Sequence, residues 1–272
     1  MKDPYGKLSC LRRELLGDYD AETLHKLRIA LRRMRSTLRN RPEADARHLR
    51  DELGLLAEAT NAARDWDTLG IYAAQILKKN QYRRIDPWLE ERCISARQRV
   101  IRTLRSEHWS RTMDHCKHYA RAHRVDAAAG EIGVNESDVA HALERLSHRW
   151  GKALSRDDAV HWHKLRIAVK DFRYQLDSQE AGDHRDQLLF CKRLQDCLGR
   201  WHDCVVHDQL LSELVGMVDP ERNPGAASAL AKLRHKLEKD RKSSLATARN
   251  VLGGTEMKAL LSPTQKRAGR GG

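Results

Sequence analysis

The sequence has 272 residues with 51 lysines and arginines against 38 acidic residues, and its formal net charge of +13 indicates a polyanionic partner. Hydrophobic residues make up 40% of the chain, which is enough for a packed core and excludes disorder over most of its length. No apolar run approaches the roughly 18 residues that cross a bilayer, and segment 1–16 mixes charges throughout, so we expect a soluble, non-secreted, cytoplasmic protein without membrane partners.

Apolar residues recur at helical spacing along the chain, and strand-like alternation is absent. They form one stripe with Leu24, Leu27, Leu31, Met34 and Leu38 and another with Leu165, Val169, Phe172 and Leu176. The sequence predicts an all-α fold with helices over 5–17, 21–40, 45–79, 87–122, 137–154, 158–179, 184–216 and 226–251. Asp20 and Asp158 each precede an apolar stripe, so we expect them to cap helices, and we expect Pro42 and Pro87 to mark breaks between helices.

The chain contains an internal repeat. The segment HKLRIALRRMRSTL (25–38) matches HKLRIAVKDFRYQL (163–176) at a constant offset of 138 residues. The same offset aligns Asp20 with Asp158 and Asp65 with Asp203. Several matches at one spacing predict two similar helical bundles, over 1–125 and 135–252, followed by a basic flexible tail over 253–272.

The repeated segment carries a cationic stripe. At 100° per residue, five side chains of the first copy fall within an arc of roughly 80° beside the apolar face. They are His25, Arg28, Arg32, Arg35 and Arg39. The second copy repeats the stripe with His163, Arg166, Lys170 and Arg173.

A solvated helix face is the simplest interpretation of such a stripe, but the charge pattern argues against it. From Lys26 to Arg41 there are seven cationic residues and no acid, whereas a solvated face normally mixes signs. Like charges at i, i+4 repel unless an anion offsets them. Each stripe also begins with a histidine, which solubility does not require, so we interpret both stripes as anion-binding surfaces.

The paired H-x-x-R-x-x-x-[RK]-x-x-R helices resemble those of the conserved histidine α-helical domain (CHAD) family. Each is followed by a helix that carries Arg64-Asp65 or the pattern L-Q-x-x-L-G-x-x-x-D, which spans residues 194–203. The resemblance covers nearly the whole chain. It implies two four-helix bundles around a basic central pore and the binding of inorganic polyphosphate.

The family motif implies a set of polyphosphate-binding residues. They are His25, Arg28, Arg32, Arg33, Arg35, His163, Arg166, Lys170 and Arg173, with Lys192 from the motif before Leu194, and the stripe itself adds Arg39. Two positions depart from symmetry, because Asp171 stands where the first copy has Arg33 and His202 where it has Arg64.

Other chemistries are less well supported by the sequence. The pairs in His115-Cys116-Lys117-His118 and His202-Asp203-Cys204 offer two metal ligands each, but neither has a matching second pair, so we predict no metal site and no cofactor. No nucleophile elbow, phosphate-binding loop or carboxylate cluster is present, so we predict no enzymatic activity. Asp65 and Asp203 are expected to bond arginines or to cap backbone groups.

We therefore predict a polyphosphate-binding module in which arginine and lysine side chains hold successive phosphates. Polyphosphate granules or polyphosphate-metabolising proteins are the further partners that this function suggests. One alternative is a helical nucleic-acid-binding protein that uses the same charge, with nucleic acid otherwise a weaker competitor. A second alternative is a histidine phosphotransfer protein, although the arginine rows exceed what one phosphoryl group requires.

Overall fold

A computed structural model describes residues 4–38, 41–122, 136–177 and 184–254 of the chain. These residues form ten helices and no strand, which confirms the all-α prediction. The helices are α1 (Pro4–Gly17), α2 (Ala21–Thr37), α3 (Ala44–Glu58), α4 (Asn61–Ile76), α5 (Lys79–Arg105), α6 (Glu107–Ala122), α7 (Glu136–Arg156), α8 (Ala159–Asp177), α9 (Arg185–Met217) and α10 (Pro224–Gly253). No helix among them is long and apolar enough to span a membrane.

The two helices that carry the cationic stripes begin with equivalent caps. Asp20 Oδ2 accepts the backbone N–H of Thr23 at 2.7 Å, and Asp158 Oδ1 accepts that of His161 at 2.9 Å. Each carboxylate satisfies an otherwise unpaired N–H of the first turn, so both capping predictions are confirmed. The hydrogen bonds lower the pKa of Asp20 and of Asp158.

The predicted helix over 45–79 is wrong, because the chain breaks between α3 and α4. The side chain of Thr60 donates to the carbonyl oxygen of Ala57 at 2.6 Å, and its backbone N–H bonds to the same oxygen at 3.2 Å. A threonine that bonds a nearby carbonyl competes with continuation of the helix. The resulting turn receives Arg28 of α2.

The helix predicted over 87–122 is also wrong, because the observed helix begins earlier and the chain breaks within the predicted range. Pro87 lies inside α5, where buried Ile85 and Leu89 on either side hold the helix although proline removes one backbone hydrogen bond. The chain instead breaks at Ser106, whose hydroxyl donates to Thr103 and accepts the N–H of Trp109 at the start of α6. Pro42 does lie between helices, as predicted.

The chain divides into two compact units. The first contains α1 to α6 with the end of α9 and the start of α10, within 1–131 and 209–234. The second contains α7, α8 and the remaining parts of α9 and α10, within 132–208 and 235–272. Residues 123–135, which include the junction between the two predicted bundles, and 255–272, most of the predicted tail, lie outside the described residues. The two predicted bundles, their pseudo-symmetry and the central pore stay predictions.

The first unit buries the apolar face of α2. This helix packs against α1 and α3, while α4 packs against α5 and α3 against α6. The predicted apolar stripe is buried and consists of Leu24, Leu27, Leu31, Met34 and Leu38. Burial of this face fixes the rotation of α2, so its cationic face turns away from the core.

The second unit buries the corresponding face of α8. Its predicted stripe is also buried, with Leu165, Val169, Phe172 and Leu176. These side chains pack with Leu194 of α9 and with Ala248 and Leu252 of α10, and α7 lies against α8. The cationic side chains of α8 therefore lie at the edge of this core.

A candidate polyanion-binding site

The α2 stripe changes from half-buried to exposed along the helix. His25 and Arg28 are half-buried, whereas Arg32, Arg33 and Arg35 are exposed. From His25 to Arg35 the stripe extends roughly 15 Å along the helix axis, because an α-helix rises about 1.5 Å per residue. It is therefore longer than a site for a single phosphate group.

Arg28 joins α2 to the turn between α3 and α4. Its Nη1 donates to Thr60 Oγ1 at 2.7 Å, to Asn61 Oδ1 at 2.8 Å and to the carbonyl oxygen of Ala57 at 3.2 Å. These bonds satisfy a carbonyl at the end of α3. They also hold the guanidinium group of Arg28 in a fixed position beside the next two arginines.

A cavity of about 540 Å³ lies between α2, α3 and the start of α4. The side of the cavity formed by α2 carries Arg28, Arg32 and Arg35. Asp51 and Glu58 of α3 also line it, so their carboxylates offset part of the arginine charge. The remaining lining residues are Gly54, Leu55, Ala57 and Asn61. Three guanidinium groups on one wall form a surface that can donate several hydrogen bonds to an anion.

Arg35 lies directly over Gly54. A Cβ atom at Gly54 would come within 3.2 Å of Arg35 Nη2 and 3.3 Å of its Cζ. The absence of a side chain at this position lets the guanidinium group approach the backbone of α3. Among the residues that the structure describes, neither Arg32 nor Arg35 forms a salt bridge.

Arg64 of α4 adds a further cation near the start of the stripe. Burial lowers the pKa of His25, and the positive charge of Arg64 lowers it further, as do those of Arg32 and Arg28. Burial also lowers the pKa of Arg28, with Arg32 and Arg64 acting in the same direction and Asp65 in the opposite one. These cations repel one another, and a bound anion would offset that repulsion.

The α8 stripe is more enclosed than the α2 stripe. His163, Arg166, Lys170 and Arg173 are all half-buried. Arg173 Nη1 donates to Gln195 Oε1 of α9 at 2.8 Å, and its Nε lies 3.4 Å from Asp177 Oδ2. Part of the hydrogen-bonding capacity of Arg173 is thus already used within the second unit.

Two histidine rings meet beside the α8 stripe. The rings of His163 and His202 lie 4.8 Å apart between centroids. Burial lowers the pKa of His202 to about 4, and Arg166, His163 and Lys170 contribute in the same direction. Burial, followed by Arg166 and Lys170, also lowers the pKa of His163. Both rings are therefore neutral at pH 7 and act there as hydrogen-bonding groups, not as cations.

Three further residues of the predicted site are Arg33, Arg39 and Lys192. Arg33 is exposed on α2 and does not line the cavity, because it lies outside the arc of the stripe. Arg39 lies outside the described residues. Lys192 is exposed on α9, where helical geometry puts it on the same face as Gln195 and His202, within an arc of roughly 80°.

Several residues of the two sites were missing from the predicted set. Thr60 and Asn61 hold Arg28, and Gly54 lies under Arg35. Arg64 and His202, which the sequence repeat aligned with each other, lie near the two stripe histidines. The repeat therefore carried a usable signal for Arg64 and His202. The contacts of Thr60 and Asn61 depend on the helix break that the sequence did not predict, and the contact of Gly54 depends on α3 packing against α2.

Comparisons with known proteins agree with this architecture. Over 92% of this chain and 88% of the other, the fold is similar to a crystal structure of the CHAD domain from the plant Ricinus communis, with a TM-score of 0.68 and 24% identity. It is also similar to PptA from Streptomyces chartreusis, with a TM-score of 0.61 and 15% identity over 92% of this chain and 98% of the other. A search of curated proteins finds no match.

The family profile described as the CHAD domain matches residues 5–212. This range begins in α1 and ends in α9, so it includes both cationic stripes and the helices that contact them. The match covers well over half of the sequence, and the chain belongs to the CHAD domain family.

Proposed function

We propose that this protein binds inorganic polyphosphate through the cationic stripes of α2 and α8. The observation that carries the proposal is the cavity beside α2, where Arg28, Arg32 and Arg35 share one wall. Membership of the CHAD family supports it, because the sequence resemblance implies the same ligand. Guanidinium groups bind phosphate oxygens with paired, charge-assisted hydrogen bonds, which suits a wall of this composition.

The length of the α2 stripe favours a polymeric anion over a single phosphate. Arg28 is already held by the turn between α3 and α4, so it supplies a fixed positive charge. Arg32 and Arg35 form no salt bridge within the described part of the chain, so their donors remain available to a ligand. Successive phosphates can then contact successive turns of one helix.

The proposed function is binding without catalysis. His25 and His163 have lowered pKa values and lie near several cations, so each ring is a neutral hydrogen-bonding group at pH 7. In this role, a histidine replaced by glutamine leaves substantial binding, because the amide still donates a hydrogen bond. Acid-labile phosphohistidine, detected by phosphorus NMR after incubation with a phosphodonor, is the result expected of a phosphotransfer protein instead.

A polyphosphate-binding protein of this kind is expected at cytoplasmic polyphosphate granules and near polyphosphate-metabolising proteins. Nucleic acid also binds in this proposal, because phosphate contacts attract any polyanion, and we expect it to compete more weakly than polyphosphate. Four of the six tryptophans, Trp66, Trp109, Trp162 and Trp201, are buried and cannot stack on bases, and the other two are half-buried.

A competition experiment tests the proposed function. Labelled DNA is bound to the protein and then displaced with long-chain polyphosphate at equal phosphate concentration, and the reverse titration starts from labelled polyphosphate. We expect polyphosphate to displace DNA and DNA to leave most polyphosphate bound. Equal displacement in both directions would support general nucleic-acid binding and would contradict the proposal.

A further inference from the structure

A second cluster of ligating side chains lies in the first unit, where α3 packs against α6. His48 and Glu52 of α3 and His115 of α6 each present one ligand atom, and these atoms lie within 4.8 Å of one another. His115 Nδ1 is 2.8 Å from Glu52 Oε2, and His48 Nε2 is 3.7 Å from Glu52 Oε1. The cluster thus joins two helices that are far apart in sequence.

This donor set suits a transition-metal ion of zinc-like character. Two imidazole nitrogens and a carboxylate oxygen are common zinc ligands, and zinc holds them at about 2.0–2.2 Å. The ligand atoms are somewhat farther apart here than in a closed site. The His48 side chain is 69% exposed, so it can rotate toward the other two ligands without disturbing the core.

Asp45 completes the arrangement on the far side of the His115 ring. Its Oδ1 lies 2.7 Å from His115 Nε2, opposite the nitrogen that faces Glu52. A metal-bound histidine commonly donates its second ring N–H to a carboxylate, which orients the ring. Asp45 is in the right place for this role, leaving His115 Nδ1 to face the cluster.

We propose that His48, Glu52 and His115 form a binding site for a divalent transition metal ion such as Zn²⁺, with Asp45 as the residue that positions His115. The site goes beyond the proposed polyphosphate function and departs from the sequence prediction of no metal. Its ligands come from two helices, and more than sixty residues lie between Glu52 and His115, so no short motif marks them. The lining residues of the arginine cavity lie on a different face of α3.

Cys116 follows His115 in the sequence, but its side chain is fully buried and it is not among the three residues whose ligand atoms come together.

Titration calorimetry of the full chain with Zn²⁺ tests the site. We expect His48→Ala and His115→Gln each to weaken Zn²⁺ binding by at least about tenfold, and Asp45→Asn to weaken it less. His118→Gln is the matched control, since His118 is exposed on the same helix outside the cluster, and it should leave the affinity unchanged.

Two outcomes would overturn the proposal. In one, His48→Ala binds Zn²⁺ as tightly as the wild type, which would make the cluster an ion-paired contact between α3 and α6 only. In the other, His118→Gln weakens binding as much as the cluster variants, which would indicate scattered histidine binding. His48 is largely exposed, so its variant should fold, and circular dichroism confirms this for each protein. Polyphosphate affinity, measured in parallel, separates a failure here from a failure of the proposed function.

Discussion

The two cationic stripes come from nearly identical sequences but have different surroundings. On α2, Arg32 and Arg35 are exposed beside a cavity, and within the described residues they form no salt bridge. On α8, all four stripe residues are half-buried, and Arg173 already bonds Gln195 and Asp177. The comparison shows that a repeated motif fixes the chemical groups of a stripe, whereas their availability depends on the helix packed against it.

The difference between the stripes can be traced to aligned residues on the facing helices. At the 138-residue offset, Gly54 corresponds to Lys192 and Ala57 to Gln195. A glycine lets Arg35 lie over α3, while a glutamine gives Arg173 a hydrogen-bond partner. The α3–α4 break also has no equivalent in α9, which is continuous through the aligned positions. The first unit therefore has a turn that receives Arg28, and the second does not.

The largest expected effect comes from removing the exposed arginines of α2. We expect Arg32→Gln with Arg35→Gln to weaken long-chain polyphosphate binding about 100-fold, since each charged hydrogen bond contributes about 1.5–3 kcal/mol. Lys170→Gln with Arg173→Gln should weaken it only about tenfold, because Arg173 shares its donors with internal partners. Calorimetry on both double variants measures the ratio, and equal losses would contradict the contrast between the stripes.

A side chain introduced at Gly54 should weaken polyphosphate binding without lowering the free energy of unfolding. Leucine there would fill the space that the Arg35 guanidinium group occupies, so we expect Gly54→Leu to weaken polyphosphate binding about tenfold. Glycine in a helix interior costs about 1 kcal/mol relative to good helix formers, so unfolding free energy should not fall. Gly151→Leu is the control, because nothing lies within 4 Å of a Cβ at Gly151. Unchanged affinity for Gly54→Leu would remove Gly54 from the site.

Acid pH should affect the second unit through its buried histidines. The pKa of His202 and that of His207 are each lowered to about 4, mainly by burial, so the unfolded chain binds these protons first. Unfolding free energy should therefore fall as the pH drops from about 6.5 toward 4. We expect His202→Gln to reduce this fall by about 1 kcal/mol. This value is smaller than the pKa shift alone would give, because part of the ring is exposed to solvent. Urea unfolding at pH 7 and pH 4.5 measures the difference, and parallel pH dependences of variant and wild type would contradict the prediction.

The smallest expected effect belongs to Arg33. This residue is exposed on α2 outside the cavity, so only long-range attraction is lost when it is neutralised. We expect Arg33→Gln to weaken polyphosphate binding by less than about threefold at physiological salt. A loss comparable to that of Arg32→Gln would restore Arg33 to the site that the family motif implied.

Much of the fold could be predicted from the sequence because apolar periodicity and capping act locally. The apolar stripes of α2 and α8, which end at Leu38 and Leu176, are buried as predicted. Asp20 and Asp158 cap these two helices, also as predicted. The breaks at Thr60 and Ser106 were not predicted, since a hydroxyl that bonds a nearby carbonyl is as compatible with a helix as with its end.

The cationic residues of the candidate site could be predicted from the sequence, but their partners on neighbouring helices could not. The stripe residues follow from helical spacing, so Arg28, Arg32 and Arg35 were identified together. Their partners depend on which helix faces the stripe and on where it breaks, and these are tertiary properties. Gly54 and Gln195 are ordinary helix residues in the sequence, and only packing shows that one admits an arginine and the other binds one.

The salt dependence of polyphosphate binding tests the central claim most directly. The logarithm of the wild-type affinity should fall linearly with the logarithm of salt concentration, with a slope of roughly 0.7 per phosphate contact if polyphosphate behaves like a single strand. The double variant Arg32→Gln, Arg35→Gln should show a slope smaller by about 1.4, because two contacts are missing. A wild-type affinity independent of salt, or the same slope in the double variant, would contradict binding by the α2 arginines.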